Sequence, residues 1–426
     1  MLPTRALARP RGLLYRVAMP PAAFRPGDDR KRLVLAALLA GLATIGPFTI
    51  DTYMPSFPSM ARSFAVDAVL IQQTLPAYLI PFAFMTLFHG TLSDAFGRRP
   101  VILVGLAVFA VASVGCAFAQ SLNQMLAFRA LQGMSAGVGM VVGRAMIRDL
   151  YAGHDAQRVM SMVTMIFGLA PAIAPVIGGW FETGLGWRSI FVFLALFAGA
   201  LLVACRAALP ESLPPEKRHP FAARPLLAAY AKLLGSGRFV LLVSAIAFNF
   251  SGFFLYIVSA PAVIYGLLGL GATQFAWLFV PGISGVVFGA FLSGRLAGRL
   301  SARRTVALGY AIMGAAVCYN VGYHALFPPA LPWTVLAVMF YTIGMSLAMP
   351  SLTLLALDLF PHNRGLAASL QGGQQSLFSG ITAGVLSPLL AGSALGLGLG
   401  ALALMLCGLA CTLAYTRTTK APDSHA

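Results

Sequence analysis

Charge is what this sequence has least of. Asp, Glu, Lys and Arg make up 10% of its 426 residues, against roughly a quarter in an ordinary soluble domain. With 59% apolar residues, the chain has too little charged surface to cover water-soluble cores. It is equally far from the composition of a disordered chain. Acid is scarcer than base: 12 carboxylates stand against 29 Lys and Arg, for a net charge of +17. In a soluble protein that excess would point to nucleic acid. Here the apolar content points to lipid, and no nucleic-acid partner is expected. Cysteine is also sparse. Cys116, Cys205, Cys318, Cys407 and Cys411 lie inside apolar runs without metal spacing, which excludes a disulfide framework and a thiolate metal centre and leaves small packing residues. No P-loop is present, so the chain by itself does not run on ATP. No ring of charges or filter-like loop marks a channel. The first 32 residues carry Arg5, Arg9, Arg11 and Arg16 but no apolar run of the kind a cleavable signal needs. They read as a cytoplasmic tail, with Met19 available as another start.

What the chain has in abundance is long apolar runs. A helix needs about 20 such residues to cross the bilayer core. Twelve stretches qualify: 33–57, 69–89, 101–120, 123–146, 157–181, 188–207, 238–266, 274–296, 304–324, 333–357, 365–388 and 394–416. They fall into two sets of six. The expected organisation is a cytoplasmic tail (1–32), an N-terminal half (33–208), a proline-rich cytoplasmic linker (209–237), a C-terminal half (238–416) and a cytoplasmic tail (417–426). The fold class is therefore an all-α membrane protein of 12 transmembrane helices in two pseudo-symmetric halves. Base follows this topology closely. Eight Lys or Arg lie in the N-terminal arm; two, three, six, four and one lie in the even-numbered turns, and two in the C-terminal tail. The odd-numbered turns hold only Arg62 and Arg188. By the positive-inside rule both termini are cytoplasmic, and the basic face meets anionic lipid headgroups.

The halves also share a motif. Residues 90–99 read GTLSDAFGRR and residues 294–303 read GRLAGRLSAR, with Gly90/Gly294, Leu92/Leu296 and Arg99/Arg303 in register. Both segments join the second and third spans of their own half. Two like halves around a linker are the usual plan of secondary transporters, with the site between them.

Several stretches are more specific. Gly90-Thr-Leu-Ser-Asp94-Ala-Phe-Gly97-Arg98-Arg99-Pro100 resembles the loop signature of the major facilitator superfamily. Arg129-Ala-Leu-Gln132-Gly133 resembles its fourth-helix signature. Ala174-Pro175-Val-Ile-Gly178-Gly179-Trp180 resembles the fifth-helix signature of its twelve-span drug/proton antiporters, with Ala174 where that pattern usually has Gly. Ile50-Asp51-Thr-Tyr53-Met-Pro55 and Ile147-Arg148-Asp149-Leu150-Tyr151 resemble the Bcr/CflA drug-resistance group. The resemblance runs from about residue 33 to 415. It implies a multidrug efflux carrier of a bacterial inner membrane, driven by the proton gradient without a cofactor, and monomeric.

An ionised group at membrane depth is costly and marks function by default. Asp51 lies 19 residues beyond Arg32, about 28 Å along a helix, and Arg129 about 9 Å into the fourth span from the far side. The two are expected to face one cavity and to couple the proton. Desolvation favours the neutral carboxyl and a nearby Arg favours the charged one, so a substrate that separates them shifts the balance. The resemblance assigns coupling to the same acid and Arg. Residues 33–50 lack the earlier acid of some relatives, which favours neutral or zwitterionic substrates over strong cations. In the 90–100 loop, Asp94 is expected to meet the start of the eleventh helix near Gly365. Arg98 is expected to pair with Asp149, with Gly90, Gly97 and Arg99 completing a cytoplasmic gate. Pro171, Pro175, Gly178 and Gly179 are expected to bend the fifth helix and seal the half interface. The substrate cavity is expected to be lined by Asp51, by Tyr78, by Asn249, Phe253 and Tyr256 on one face of the seventh span, and by Gln371, Gln374, Gln375 and Phe378 of the eleventh. His89 and His324 read as interfacial.

Two serine motifs compete with a transport reading. Gly133-Met-Ser135-Ala-Gly137 matches the hydrolase elbow, which needs a strand-to-helix turn. Gly282-Ile-Ser284-Gly285 resembles an intramembrane serine protease, which would also need a His in reach. Neither requires twelve spans, so an enzyme is not expected. The nearer alternative is a carrier of the same fold for a metabolite such as an amino acid or small peptide.

Overall fold

The computed structural model describes residues 29–418. The two tails expected at 1–32 and 417–426 fall almost wholly outside the described residues. Ten long helices cross as simple spans: span 1 Asp29–Asp51, span 2 Thr74–Phe96, span 3 Arg98–Phe118, span 4 Leu122–Leu150, span 5 Gly153–Leu185, span 6 Trp187–Ala208, span 8 Ala276–Leu296, span 9 Ala302–Leu326, span 10 Trp333–Asp358 and span 12 Ala394–Thr418. Span 7, Gly237–Val258, continues beyond Ser259 into a π-helical turn at Ala262–Leu267. Span 11 is composite: Arg364–Ile381, a π-helical turn at Thr382–Leu386, then Ser387–Leu390. Eleven of the segments are long and apolar enough to cross a membrane on composition alone. Span 11 is the exception because it carries Gln371, Gln374 and Gln375. The described residues contain no strand.

Local chemistry sets the ends of these helices. Ser121, Ser236 and Ser301 each accept a backbone N–H from three residues on and so begin spans 4, 7 and 9. Gly97, at φ +99°, turns span 2 into span 3, a region only glycine enters without strain.

Packing repeats with a period of six spans. In the N-terminal half the pairs are 2 with 4, 3 with 4, 3 with 6, 1 with 5, 1 with 4 and 1 with 6. In the C-terminal half they are 8 with 10, 9 with 10, 9 with 12, 7 with 11, 7 with 10 and 7 with 12. Two homologous bundles thus stand side by side. Span 2 packs on span 11 and span 5 on span 8 across the seam.

The direct polar contacts across the seam lie at the charge-poor end. Gln72 donates to the Val258 carbonyl at 3.2 Å and also to Ser387 Oγ. Gln73 donates to the Gly384 carbonyl inside the span 11 π-turn, at 3.2 Å. Tyr265 donates to the Pro55 carbonyl at 2.6 Å. Of the two glycines expected at the half interface only Gly179 crosses it, against the backbone of Ala272 and Thr273, while Gly178 lies against Thr52 of its own half; both are so close that any Cβ would collide with a carbonyl. At the basic end Arg364 and Gly365, which open span 11, are exposed, and a Cβ at Gly365 would meet nothing within 4 Å. The described halves are closed at the charge-poor face and share no direct hydrogen bond or ion pair at the basic one.

The linker is ordered. Its helix, Ala223–Leu234, buries Leu226, Tyr230 and Leu233 on one face. Tyr230 donates to the Leu87 carbonyl of span 2 at 2.8 Å.

Candidate functional site

Arg129 is the largest fully buried side chain of the described residues. Its guanidinium sits 4.4 Å from the ring centre of Tyr53 and 4.7 Å from that of Tyr78, a stacking geometry the ring quadrupole favours. Nε donates to the Thr74 carbonyl at 3.3 Å, and Nη1 to the Thr49 carbonyl at 3.2 Å and to Gln132 Oε1 at 2.9 Å. Gln132 is held in turn by Ser113 at 2.8 Å. Thr49 is in the last turn of span 1, where carbonyls lose their intrahelical partners. The cation therefore caps one helix, braces the start of another and is seated on a third. Among the described residues its Nη2 finds no hydrogen-bond partner.

Asp51 ends span 1 and is 4% exposed. The direct pairing with Arg129 expected from the sequence is not formed. Among the described residues no ion pair joins them, because the guanidinium is spent on carbonyls and an amide. The two charges still share span 1, which Asp51 ends and whose Thr49 carbonyl Arg129 holds; Tyr78, fully buried, lies under the guanidinium. Tyr78 is thus part of the Arg129 cage, stacked on Phe82 at 5.8 Å, and not a wall residue of an open cavity.

The 90–100 loop forms a cluster on the basic face. Arg98 pairs with Asp94 at 2.5 Å and with Asp149 at 3.2 Å, the second as the sequence reading expected. The expected contact of Asp94 with the start of span 11 is absent in this conformation. Asp94 turns to Arg98, and its carbonyl takes the backbone N–H of His219 in the linker. No motif in the linker marks its role. Glu211 accepts the N–H groups of Arg98 and Arg99 at 3.0 and 3.3 Å, capping span 3, and pairs with Arg218 at 3.6 Å. Ser212 donates to Asp149 at 2.9 Å, and Arg99 to the Arg206 carbonyl at 2.6 Å. A Cβ at Gly97 would strike Glu211 and Arg218, which adds a packing reason for glycine to the conformational one. Gly90 has nothing within 4 Å of its Cβ direction.

The seventh-span stripe is corrected in register. Asn249, Phe253 and Tyr256 are buried inside the C-terminal half rather than on a substrate cavity. Asn249 donates to Tyr310 at 2.9 Å, its carbonyl takes the Tyr341 hydroxyl at 2.9 Å, and Phe253 packs on Gly282. Tyr256 shares a crevice with Asn320 and Tyr341. The half-buried face is instead Ser244 and Phe248, offset from Asn249 by about 100° of helix. There span 11 meets it: Gln374 donates to Ser244 at 2.8 Å, and Phe378 crosses Phe248 edge-on at 5.0 Å. Gln371 donates to Thr353 of span 10 at 3.1 Å, and Gln375 is half-buried beside them. Pro171 and Pro175 lie inside span 5, one and two turns before the Gly178–Gly179 contact.

His89 is not interfacial. It is 2% exposed, and its Nε2 lies 3.1 Å from the Met134 carbonyl of span 4. His324, near the end of span 9, stacks edge-on against Tyr323. Ser135 donates to carbonyls of its own helix, with no strand-to-helix turn around it. Ser284 stands mid-helix in span 8 with no hydrogen bond to a His.

Two six-span bundles, a sealed seam at one end and a caged cation beside it define a two-half membrane carrier. The chain belongs to the Major Facilitator Superfamily, whose sequence profile matches residues 33–383. It is a multi-pass integral membrane protein. Among its relatives, Multidrug resistance protein D of Escherichia coli is 29% identical over 359 residues, covering 83% of this chain and 88% of that one. The bicyclomycin resistance protein homolog of Haemophilus influenzae is 30% identical over 286 residues, covering 67% and 72%. These relatives agree with the Bcr/CflA resemblance of the motifs. The fold matches a bacterial homolog of the human lysosomal transporter Spinster, solved inward-facing and unoccupied, with a TM-score of 0.66 at 17% identity, over 92% of this chain and 97% of that one.

Proposed function

We propose that this protein is a proton-coupled antiporter that exports small lipophilic drugs, neutral or zwitterionic, from the cytoplasm by alternating access. It works in a bacterial inner membrane as a monomer, with both termini cytoplasmic and the proton gradient as its energy source; no cofactor or catalysis is involved. The single observation that carries the coupling reading is the Arg129 cage. A fully buried cation spends three hydrogen bonds holding spans 1, 2 and 4 together, and the buried Asp51 ends span 1 two residues beyond the Thr49 carbonyl that the cation holds. A buried charge is a poor source of stability by itself, so function is the better account of it. The relatives whose names denote multidrug and bicyclomycin resistance support the substrate class.

The geometry supports the following cycle. A proton on Asp51 changes the field at the end of span 1, two residues from the Thr49 carbonyl that Arg129 holds, and through it the packing of the cage. Thr74 leads from the cage to the adjoining residues Gln72 and Gln73. Those glutamines hold the charge-poor face shut, and rocking to the outward-open state requires their bonds to Val258, Ser387 and Gly384 to break. The basic face then closes, bringing the Asp94–Arg98–Asp149 cluster towards span 11.

Reconstituted protein tests this. Asp51→Asn should abolish proton release on addition of bicyclomycin or chloramphenicol to proteoliposomes, with the fold intact by size exclusion. Proton-coupled efflux that survives in Asp51→Asn refutes the coupling assignment.

A further inference from the structure

The two halves differ in how they answer their own base. In the N-terminal half the turn between spans 2 and 3 is neutralised from within. Arg98 pairs with Asp94 and Asp149, and Glu211 accepts the N–H groups of Arg98 and Arg99. The corresponding turn between spans 8 and 9 carries Arg295, Arg299, Arg303 and Arg304, with Arg303 in register with Arg99. No acid of their own half answers these four. Residues 238–416 contain one carboxylate, Asp358, and Arg364 holds it at 2.6 Å. All four arginines are exposed, and among the described residues their side chains make no ion pair or hydrogen bond.

The turn lies where a membrane anion reaches it. Span 9 packs on spans 10 and 12, and its open face runs through Cys318, Ala311 and Leu308 to Arg304, all exposed and at helical spacing. On span 8, Val280, Val287 and Phe291 are exposed, and Arg295 follows one turn later with its guanidinium 4.9 Å from the Phe291 ring centre. An apolar stripe open at the surface of a membrane helix faces acyl chains, and an arginine that ends it snorkels to the headgroup level. Gly298, at φ +78°, closes the turn, and Ser301 caps span 9. The arginines therefore sit on a short, ordered connection between two stripes. Topological anchoring accounts for base in both turns. It does not account for one turn stitched by three carboxylates, Asp94, Asp149 and Glu211, and an equivalent turn with none.

We propose that the 295–304 turn is a binding site for the phosphate of an anionic phospholipid. Arg295 and Arg304 are its main ligands, and the acyl chains lie along the stripes of spans 8 and 9. A guanidinium suits a phosphate by its planar fork of donors. The lipid gives the C-terminal half the anion that carboxylates give the N-terminal one. The site is confined to one half, which separates it from a general attraction of the basic face for headgroups. It goes beyond the exporter reading and does not depend on it.

The test reads lipid at the turn itself. In the full chain with native cysteines replaced, Leu308→Cys carries a bimane label one turn into the membrane from Arg304. Brominated acyl chains quench it in vesicles of phosphatidylcholine and phosphatidylglycerol. Each arginine near a membrane surface contributes roughly fivefold, so brominated phosphatidylglycerol should reach the label about tenfold more tightly than brominated phosphatidylcholine, or better. Arg295→Gln with Arg304→Gln should lower that preference about tenfold. Quenching by brominated phosphatidylcholine should stay unchanged, which also shows that the variant is folded in the membrane. Arg144→Gln with Arg158→Gln removes the same charge from exposed positions of the other half and should change the preference less than about twofold. Equal quenching by the two lipids in the parent protein overturns the proposal. So does an undiminished preference in the first double variant, or an equal loss in both. Inorganic phosphate, compared with chloride at matched ionic strength, should leave the preference intact. Its loss would assign the turn to a soluble phosphate compound and equally overturn the proposal.

Discussion

At the scale of single residues, scarcity was the signal. So few charges occur inside apolar runs that Asp51 and Arg129 stand out without any structure. Their partners could not be read. The sequence suggests that opposite charges at similar depth pair, because a bare charge in the membrane is costly. The structure offers Arg129 cheaper company: two tyrosine faces, two carbonyls and one amide. A carbonyl has a large dipole and costs no ionisation, and helix ends supply such carbonyls ready-made. A lysine has no planar fork and cannot reach Thr49, Thr74 and Gln132 together. Arg129→Lys should therefore leave at least one buried acceptor unsatisfied, at about 1–3 kcal/mol. A lowered unfolding midpoint in urea-detergent titration, with transport reduced more than tenfold, is the expected outcome; wild-type stability would show that the fork is dispensable.

At the scale of elements, the sequence placed helices well and their faces less well. The seventh span carries both a polar stripe at Asn249, Phe253 and Tyr256 and another at Ser244 and Phe248. Periodicity alone ranks the first higher, because it has more polar atoms. Which stripe faces inward depends on how the helix is rotated against its neighbours, and Tyr310 and Tyr341 decide that by hydrogen-bonding Asn249 from spans 9 and 10. Span 11 was legible for the opposite reason. Three glutamines would be unfavourable against lipid, so their helix had to face protein or water, and Gln374 does meet Ser244. The prolines and mixed charge of the linker suit a flexible spacer. It is instead a brace. Glu211 caps span 3, and no local pattern announces a cap that comes from more than a hundred residues away. Glu211→Ala should cost the cap about 1 kcal/mol and loosen residues 209–219. Faster cleavage of the linker by limited proteolysis, with the spans intact, is the result that supports the brace; unchanged cleavage argues against it.

At the scale of the whole molecule, the two halves meet along spans 2 and 11, and the approach is close enough to trap. A Cβ at Gly380 would lie 3.6 Å from the Cβ of Leu79, within the separation a disulfide spans. In a background with the five native cysteines replaced, Leu79→Cys with Gly380→Cys should cross-link on mild oxidation. Cross-linked protein should lose transport and regain it on reduction. Full transport with the bond closed would show that this part of the seam does not move.

The sequence by itself determined the number of crossings, which face carries the basic residues and the membership in a two-half carrier family. These follow from quantities that add up along a chain: apolar length, the side on which base accumulates, and motifs whose residues are contiguous. It also isolated the membrane charges, because each is an exception within its own run. Only the tertiary structure decided what those charges touch, which way span 7 turns, and which face of the carrier is shut. Those depend on residues from different spans competing for the same partners at close range. A carbonyl at the end of span 1 outcompetes a carboxylate for Arg129, and the linker takes the donors of span 3. No window of sequence contains both competitors, and their contest is settled only when the bundles pack.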